Sequence, residues 1–223
     1  MSDFSTARQK MVDGQVRTSD VTDRRILDGM LTVPRENFVP EEKRALAYLD
    51  LDLDVAAEDT SRRFLIKPML TAKLLQAAEI NPTDKVLIVG CATGYMAALA
   101  ARLAAKVVAT ESDSALAVRG KDILLKLHLQ ELVALQTADT AAGYPAGAPY
   151  NAIILNGATE IVPDALFQQL AEGGGRLVGV FASERPSRAM IVTHSRGDFG
   201  HRILFDAAAP VLPGLERRPE FVF

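Results

Sequence analysis

The stretch that decides the fold is residues 86–95, which read VLIVGCATGY. It begins with four apolar residues, mostly β-branched, continues through a turn of small residues and ends where a helical pattern starts. Small residues let the backbone approach a ligand, glycine adopts a positive φ without strain, and the free amides of a helix N-terminus face the space above the strand end. The stretch therefore predicts a strand, a ligand-approach loop and a helix, in that order.

From residue 81 onward, short β-rich runs alternate with helical runs. The predicted strands are residues 85–89, 106–110, 132–136, 152–156 and 176–181. The predicted helices are residues 95–104, 113–129 and 163–171. Two further strands, 188–194 and 200–205, flank the turn-forming SRGD at 195–198. This pattern predicts an α/β fold, a Rossmann-like parallel sheet that ends in an antiparallel hairpin.

The residues before position 81 follow a helical periodicity instead. We expect helices over 4–17 and 21–31, the second capped by Asp20, and an extended connector over VPRENFVP at 33–40, where two prolines disfavour a helix. Pro68 opens a third predicted helix with an apolar stripe of leucines. The predicted domains are an N-terminal helical extension over 1–80, packed on the core, and a cofactor-binding core over 81–223.

Acidic and polar residues follow the next two predicted strands. Glu111 lies about 20 residues beyond Gly90, where an acid can accept hydrogen bonds from both ribose hydroxyls. Asp139 and Thr140 follow the third strand, where a polar pair can bind the edge of an adenine ring. The order of these elements suggests S-adenosyl-L-methionine. The predicted cofactor-binding residues are Gly90, Cys91, Ala92, Gly94, Tyr95, Glu111, Ser112, Asp139 and Thr140.

Other interpretations of these residues stay open. A nicotinamide dinucleotide site is disfavoured, because its fingerprint needs glycine at Ala92 and glycine or alanine at Tyr95; a P-loop is excluded, because no Gly-Lys-Ser/Thr follows. The glycines can also serve only a tight turn, Glu111 can be a solvated acid, Asp139 can cap its own turn, and Cys91 can be a packing residue.

Composition excludes several classes of function. The chain has 223 residues and a net charge of −3, so it lacks the global basic field that attracts nucleic acid or anionic lipid. One cysteine cannot form an internal disulfide, and three scattered histidines lack metal-ligand spacing. No apolar signal region follows the N-terminus, so we expect a cytoplasmic protein without metal or membrane partner. The oligomeric state is left open.

Several motifs across the chain carry a family resemblance: QVR at 15–17, VPRENFVP at 33–40, PYNAII at 149–154 and GGGRLV at 173–178. With these motifs the sequence resembles the protein-L-isoaspartate O-methyltransferases. The resemblance implies a class I methyltransferase with a mostly parallel seven-stranded sheet and S-adenosylmethionine as methyl donor. It also implies that the substrate is a protein or peptide in which an isoaspartyl or D-aspartyl carboxylate is methylated.

The sequence departs from the family pattern at a few positions. The family has Thr-Ile-Ser-Gln-Pro before the helix that Pro68 opens, and its serine is usually assigned to the active site; here Ile66 takes that place, with Lys67 as a neighbouring candidate. The family also has an acid where Ile88 stands and a middle glycine where Ala92 stands. The catalytic residue is therefore left unassigned. The alternative to an enzyme is a family member that binds S-adenosylmethionine or a partner but has lost isoaspartyl methylation or changed its substrate.

Overall fold

The computed structural model describes residues 4–56 and 62–217, and its centre is a seven-stranded sheet. The sheet strands are β3 (Lys85–Val89), β4 (Lys106–Glu111), β5 (Val133–Thr137), β6 (Ala152–Thr159), β7 (Gly175–Phe181), β8 (Arg188–Ser195) and β9 (Asp198–Asp206). Their order across the sheet is β5-β4-β3-β6-β7-β8-β9. The first five are parallel, and β8 and β9 add antiparallel to β7, as the alternating pattern and the turn at 195–198 predicted.

Alternate residues of the central strands enter two separate hydrophobic clusters on opposite faces of the sheet. Val86 and Ile88 pack on one face, and Leu87 and Val89 pack on the other. Because both faces are covered, these strands are continuous apolar runs instead of alternating ones.

Three helices follow the strand ends. They are α4 (Tyr95–Ala100), α5 (Ser114–Lys126) and α6 (Asp164–Phe167). All three are shorter than predicted. For α5 the reason is local: the Asp113 carboxylate caps its start by accepting from the amide of Ala115 at 2.8 Å, and His128 takes a left-handed φ of 57° just beyond its end. After α6, Leu170 bridges to Tyr150 and leaves the helical path.

The N-terminal region contains α1 (Phe4–Met11), α2 (Arg24–Thr32) and α3 (Pro68–Ala77). Helix α3 lies against β6 and β7, and buried residues of all three helices belong to the hydrophobic cluster on that face of the sheet. It also contains a small antiparallel pair, β1 (Leu53–Asp54) and β2 (Phe64–Leu65), which the helical pattern did not predict. The boundary at residue 80 stays a prediction.

Three N-terminal predictions were wrong in detail. The helix expected over 4–17 changes after Met11 into a π-helical turn and then a 3₁₀ turn. The cap of α2 is Asp23, whose carboxylate accepts from the amide of Arg25, whereas Asp20 has a left-handed φ of 64°. The connector predicted as extended contains a 3₁₀ helix over Arg35–Phe38, because the prolines at its two ends restrict only their own neighbours. In the part of the chain that the structure describes, no helix is long and apolar enough to cross a bilayer.

Candidate functional site

The candidate site lies at the carboxyl ends of β3 and β6, where the strand order reverses direction. In open α/β sheets, ligands bind in the crevice outside the carboxyl ends of strands at this switch point. The loop after β3 is held by two backbone hydrogen bonds: the Cys91 amide donates to the Thr110 carbonyl at 2.8 Å, and the Gly94 amide donates to the Cys91 carbonyl at 2.8 Å. Gly90 and Gly94 have φ values of 67° and 95°, which glycine adopts without strain.

The predicted acid, Glu111, is the last residue of β4 and its side chain is 0% exposed. Its carboxylate accepts from the Ala92 amide at 2.7 Å and from the Asp113 amide at 3.0 Å. It therefore joins the loop after β3 to the start of α5. This position excludes the interpretation of Glu111 as a solvated acid.

A buried arginine completes the coordination of this carboxylate. Arg63, 3% exposed, forms a bidentate pair with it: Nε donates to Oε1 at 2.9 Å and Nη2 donates to Oε2 at 2.5 Å. Oε1 thus accepts from Arg63, from the Asp113 amide and, at 3.4 Å, from the Ser112 hydroxyl, and Oε2 accepts from Arg63 and from the Ala92 amide. Because a carboxylate oxygen offers about two lone-pair positions, Glu111 has none left for ribose hydroxyls.

The crevice itself is filled by the segment that follows β9. A Cβ atom added at Gly90 would lie 2.7 Å from Leu212 Cδ2 and 3.0 Å from Arg63 Nη2. A Cβ atom added at Gly157, in β6, would lie 2.8 Å from the same Leu212 methyl carbon. The Leu212 side chain therefore rests on both strands that flank the switch point.

In this conformation the site does not fit S-adenosylmethionine. The loop residues Gly90, Cys91, Ala92, Gly94 and Tyr95 are all buried against protein atoms. The loop after β3 and Glu111 do lie at the predicted edge of the sheet. However, Leu212 occupies the crevice above the strand ends, and Arg63 occupies hydrogen-bonding positions of the Glu111 carboxylate.

The remaining predicted cofactor residues lie near this edge in different environments. Asp139 is exposed, and its carboxylate accepts from the amides of Ala141 and Ala142, so it caps its own turn. Thr140 is buried, and its hydroxyl has no hydrogen-bond partner among the described residues. Ser112 lies beside Glu111, with 3.4 Å between its hydroxyl and Oε1. Burial, with the charge of Glu111, raises the pKa of the Cys91 thiol.

The position of the family serine is part of the hydrophobic core. Ile66 is 1% exposed, and its carbonyl accepts from Arg35 Nη2 at 2.8 Å. Lys67 is half-buried and precedes α3, where its amide donates to Asp52 Oδ1. The other two departures are also core positions, since Ile88 and Ala92 belong to the same hydrophobic cluster. No side chain of the family's catalytic type therefore stands at this position.

Sequence reasoning missed three residues around the site: Arg63, Leu212 and Arg35. The Arg35 guanidinium is fully buried and lies 4.8 Å from the centre of the Tyr95 ring, and burial lowers its pKa. Gly157 directly follows the predicted strand 152–156 and lies inside the observed β6. A glycine inside a strand often indicates close approach of another segment, so a longer predicted strand would have made Gly157 a signal for Leu212. No comparable signal marked Arg63, which follows another arginine.

Comparisons with known proteins agree with this architecture. The family model described as protein-L-isoaspartate(D-aspartate) O-methyltransferase matches residues 6–207. A protein-L-isoaspartate O-methyltransferase of Koribacter versatilis is 37% identical over 188 residues, which are 82% of this chain and 81% of the relative. One of Syntrophobacter fumaroxidans is 33% identical over 87% of this chain and 88% of the relative.

A solved protein-L-isoaspartate O-methyltransferase structure has the same fold, with a TM-score of 0.81 and 24% identity over 94% of this chain and 67% of the other. The family and the homologues indicate an S-adenosylmethionine-dependent O-methyltransferase. A family match over nearly the whole chain, two relatives above 30% identity and a shared fold lead to one conclusion: this chain belongs to the protein-L-isoaspartate O-methyltransferase family.

Proposed function

We propose that the chain uses S-adenosylmethionine to methylate a carboxylate of altered aspartyl residues, isoaspartyl or D-aspartyl, in proteins or peptides. The observation that carries the proposal is the position of Glu111. Its carboxylate lies at the end of β4 and bonds the Ala92 amide of the loop after β3. An acid and a small-residue loop at adjoining strand ends are the two elements that recognise a ribose and its attached groups in folds of this type.

The chemistry requires little of the protein beyond placement. A carboxylate acceptor is already ionised, so methylation needs alignment of the reactants and exclusion of water more than a general base. This agrees with a site in which no general base has been identified. It also means that a poorly held acceptor slows the reaction strongly, because misplacement by about 1 Å costs on the order of a hundredfold in rate.

A second candidate function is binding without methylation. Two observations favour it: Arg63 satisfies Glu111 internally, and Ile66 offers no hydroxyl at the family serine position. Such a protein keeps the fold and binds the cofactor or a partner protein without turning over an isoaspartyl substrate.

The test combines binding and turnover. Affinity for S-adenosylmethionine and S-adenosylhomocysteine is measured by calorimetry, with NAD as the control ligand. Methylation is then followed by mass spectrometry on an isoaspartyl peptide, with the same peptide carrying ordinary aspartate as the matched control. Methylation of the isoaspartyl peptide alone supports the proposal. Cofactor binding without methylation of either peptide supports the second candidate. If neither the wild-type chain nor Arg63→Gln binds the cofactor, both methylation and cofactor binding without methylation are contradicted.

Ile66→Thr is expected to raise methylation of the isoaspartyl peptide relative to Ile66→Val. Threonine keeps the β-branched shape and adds a hydroxyl at the family serine position, whereas valine removes one methyl group without adding a polar atom. Because Ile66 is buried, we expect Ile66→Val to lower the free energy of unfolding by about 1 kcal/mol and Ile66→Thr by about 2 kcal/mol. Equal methylation by the two folded variants would show that the missing hydroxyl does not limit the reaction.

A further inference from the structure

We propose that Arg63 and Leu212 form an internal plug of the cofactor crevice, and that S-adenosylmethionine binds only when this plug is displaced. The inference rests on the proposed function, because it assigns a regulatory contact to the same site. The plug is defined by these two side chains: one comes from the segment just before β2, and the other comes from the segment after β9.

Arg63 acts as a competitor for the ribose-binding acid. Its bidentate pair with Glu111 uses one lone-pair position on each carboxylate oxygen, and the amides of Ala92 and Asp113, with the Ser112 hydroxyl, use the others. A ribose diol would need the same two positions that Arg63 takes. The arginine and the cofactor therefore exclude each other at Glu111.

Leu212 fills the adjoining part of the crevice. Its backbone amide donates to the Ala158 carbonyl at 2.9 Å, and the Ala158 amide donates to the Pro210 carbonyl at 2.8 Å. These bonds hold the segment across the end of β6, with the leucine side chain above Gly90 and Gly157. Leu212 is 2% exposed, so it covers this part of the crevice from solvent.

Displacing the plug leaves the main sheet intact. Arg63 lies outside the seven strands, next to the two-stranded pair, and its carbonyl accepts from the Val55 amide at 2.8 Å. The Leu212 segment is joined to the end of β6 by an isolated bridge between Ala158 and Val211, and the Glu160 amide just beyond β6 donates to the Leu215 carbonyl at 2.9 Å. Because neither attachment belongs to the ladders of β3, β4 or β7, the crevice can open while the fold persists.

Cys91 provides a reporter that does not depend on cofactor. It is the single cysteine of the chain, it is fully buried in the loop, and it lies close enough to Glu111 and Arg63 for their charges to act on its thiol. Opening the crevice exposes the loop, so the rate at which a disulfide reagent such as DTNB modifies Cys91 measures displacement of the plug.

The experiment compares the wild-type chain with Arg63→Gln, Leu212→Ala and the control Arg62→Gln. Arg62 is the matched control because its side chain is 81% exposed and lies 3.9 Å from the Asp54 carboxylate, away from the crevice. We expect both plug variants to react at Cys91 at least tenfold faster than the wild type and the control. In calorimetry, we expect both plug variants to bind S-adenosylhomocysteine at least tenfold more tightly than the wild type and the control do. We also expect bound S-adenosylhomocysteine to slow the reaction of Cys91 in these variants.

Measurements at several low urea concentrations separate opening of the crevice from global unfolding, because only global unfolding gives a rate that rises with the full urea dependence of equilibrium unfolding. Faster labelling with this full dependence, or equal labelling in all four proteins, would overturn the plug. Equal labelling together with tight cofactor binding by the wild type would overturn the plug and leave the proposed function standing. Faster local labelling without cofactor binding by any variant would show that Arg63 and Leu212 cover the loop, but it would overturn both their control of cofactor binding and the proposed function.

Discussion

Glu111→Ala is expected to lower the free energy of unfolding by about 3–5 kcal/mol and to abolish binding of S-adenosylmethionine. The substitution leaves the Arg63 guanidinium buried without a counter-charge, and it removes the acceptor for the Ala92 and Asp113 amides. An uncompensated buried charge is among the largest destabilising effects of a single substitution. Urea denaturation followed by circular dichroism measures the change in stability, and calorimetry measures binding.

A double-mutant cycle shows whether the pair carries this effect. We expect Arg63→Ala plus Glu111→Ala to cost about 2 kcal/mol less than the sum of the single substitutions, because the second change removes the charge that the first left unpaired. Arg62→Ala is the control for a surface arginine, and it should change stability by less than about 0.5 kcal/mol. Single effects that add within about 0.5 kcal/mol would contradict the pairing of Arg63 with Glu111.

Gly90→Ala is expected to lower the free energy of unfolding by about 3 kcal/mol. Two causes combine at this position. The backbone has a φ of 67°, which costs an L-residue with a side chain about 1–2 kcal/mol. The added Cβ would also lie 2.7 Å from Leu212 Cδ2, so the segment after β9 must shift.

Gly173→Ala separates these two causes. Gly173 has a φ of 82°, but a Cβ added there meets nothing within 4 Å. This control should cost about 1 kcal/mol, the penalty for the backbone conformation alone. In a Leu212→Ala background, Gly90→Ala should cost about 1 kcal/mol less than in the wild type, because the contact with the leucine is gone while the 3.0 Å approach to Arg63 Nη2 remains. An equal cost for Gly90→Ala with and without Leu212 would show that the leucine does not occupy the crevice.

Local patterns were sufficient to predict most of the core. The alternation of apolar runs and helices from residue 81 onward predicted the parallel strands, and the SRGD turn predicted the antiparallel pair that ends the sheet. The predicted and observed bounds of the strands differ by a few residues. The largest difference at one strand end is in β6, which continues to Thr159 because Ala158 and Thr159 pair with Val180 and Phe181 of β7. The N-terminal region was predicted less well, since prolines and short polar runs allow 3₁₀ turns and extended chain about equally.

The candidate site was likewise predicted only in part from the sequence. The loop and Glu111 could be placed from sequence, because each follows directly from a strand whose carboxyl end is fixed by the parallel topology. Asp139 was correctly predicted to lie near the carboxyl ends of the strands. Its carboxylate caps its own turn, a common role of Asp and the alternative interpretation of this residue. Whether the nine predicted residues hold a cofactor stays a prediction.

The sequence by itself determined the α/β fold, the family and the edge of the sheet where a ligand would lie, because apolar periodicity, glycine positions and strand-end residues are local properties of the chain. Only the tertiary structure decided what occupies that edge. Arg63 and Glu111 are 48 positions apart in the chain. Leu212, which lies over Gly90, belongs to the segment that follows the last strand of the sheet. Such contacts depend on which segment of the chain lies over the strand ends. The free energy of burying a charge or an apolar side chain there depends on contacting residues that are distant in sequence, so no local pattern predicts it.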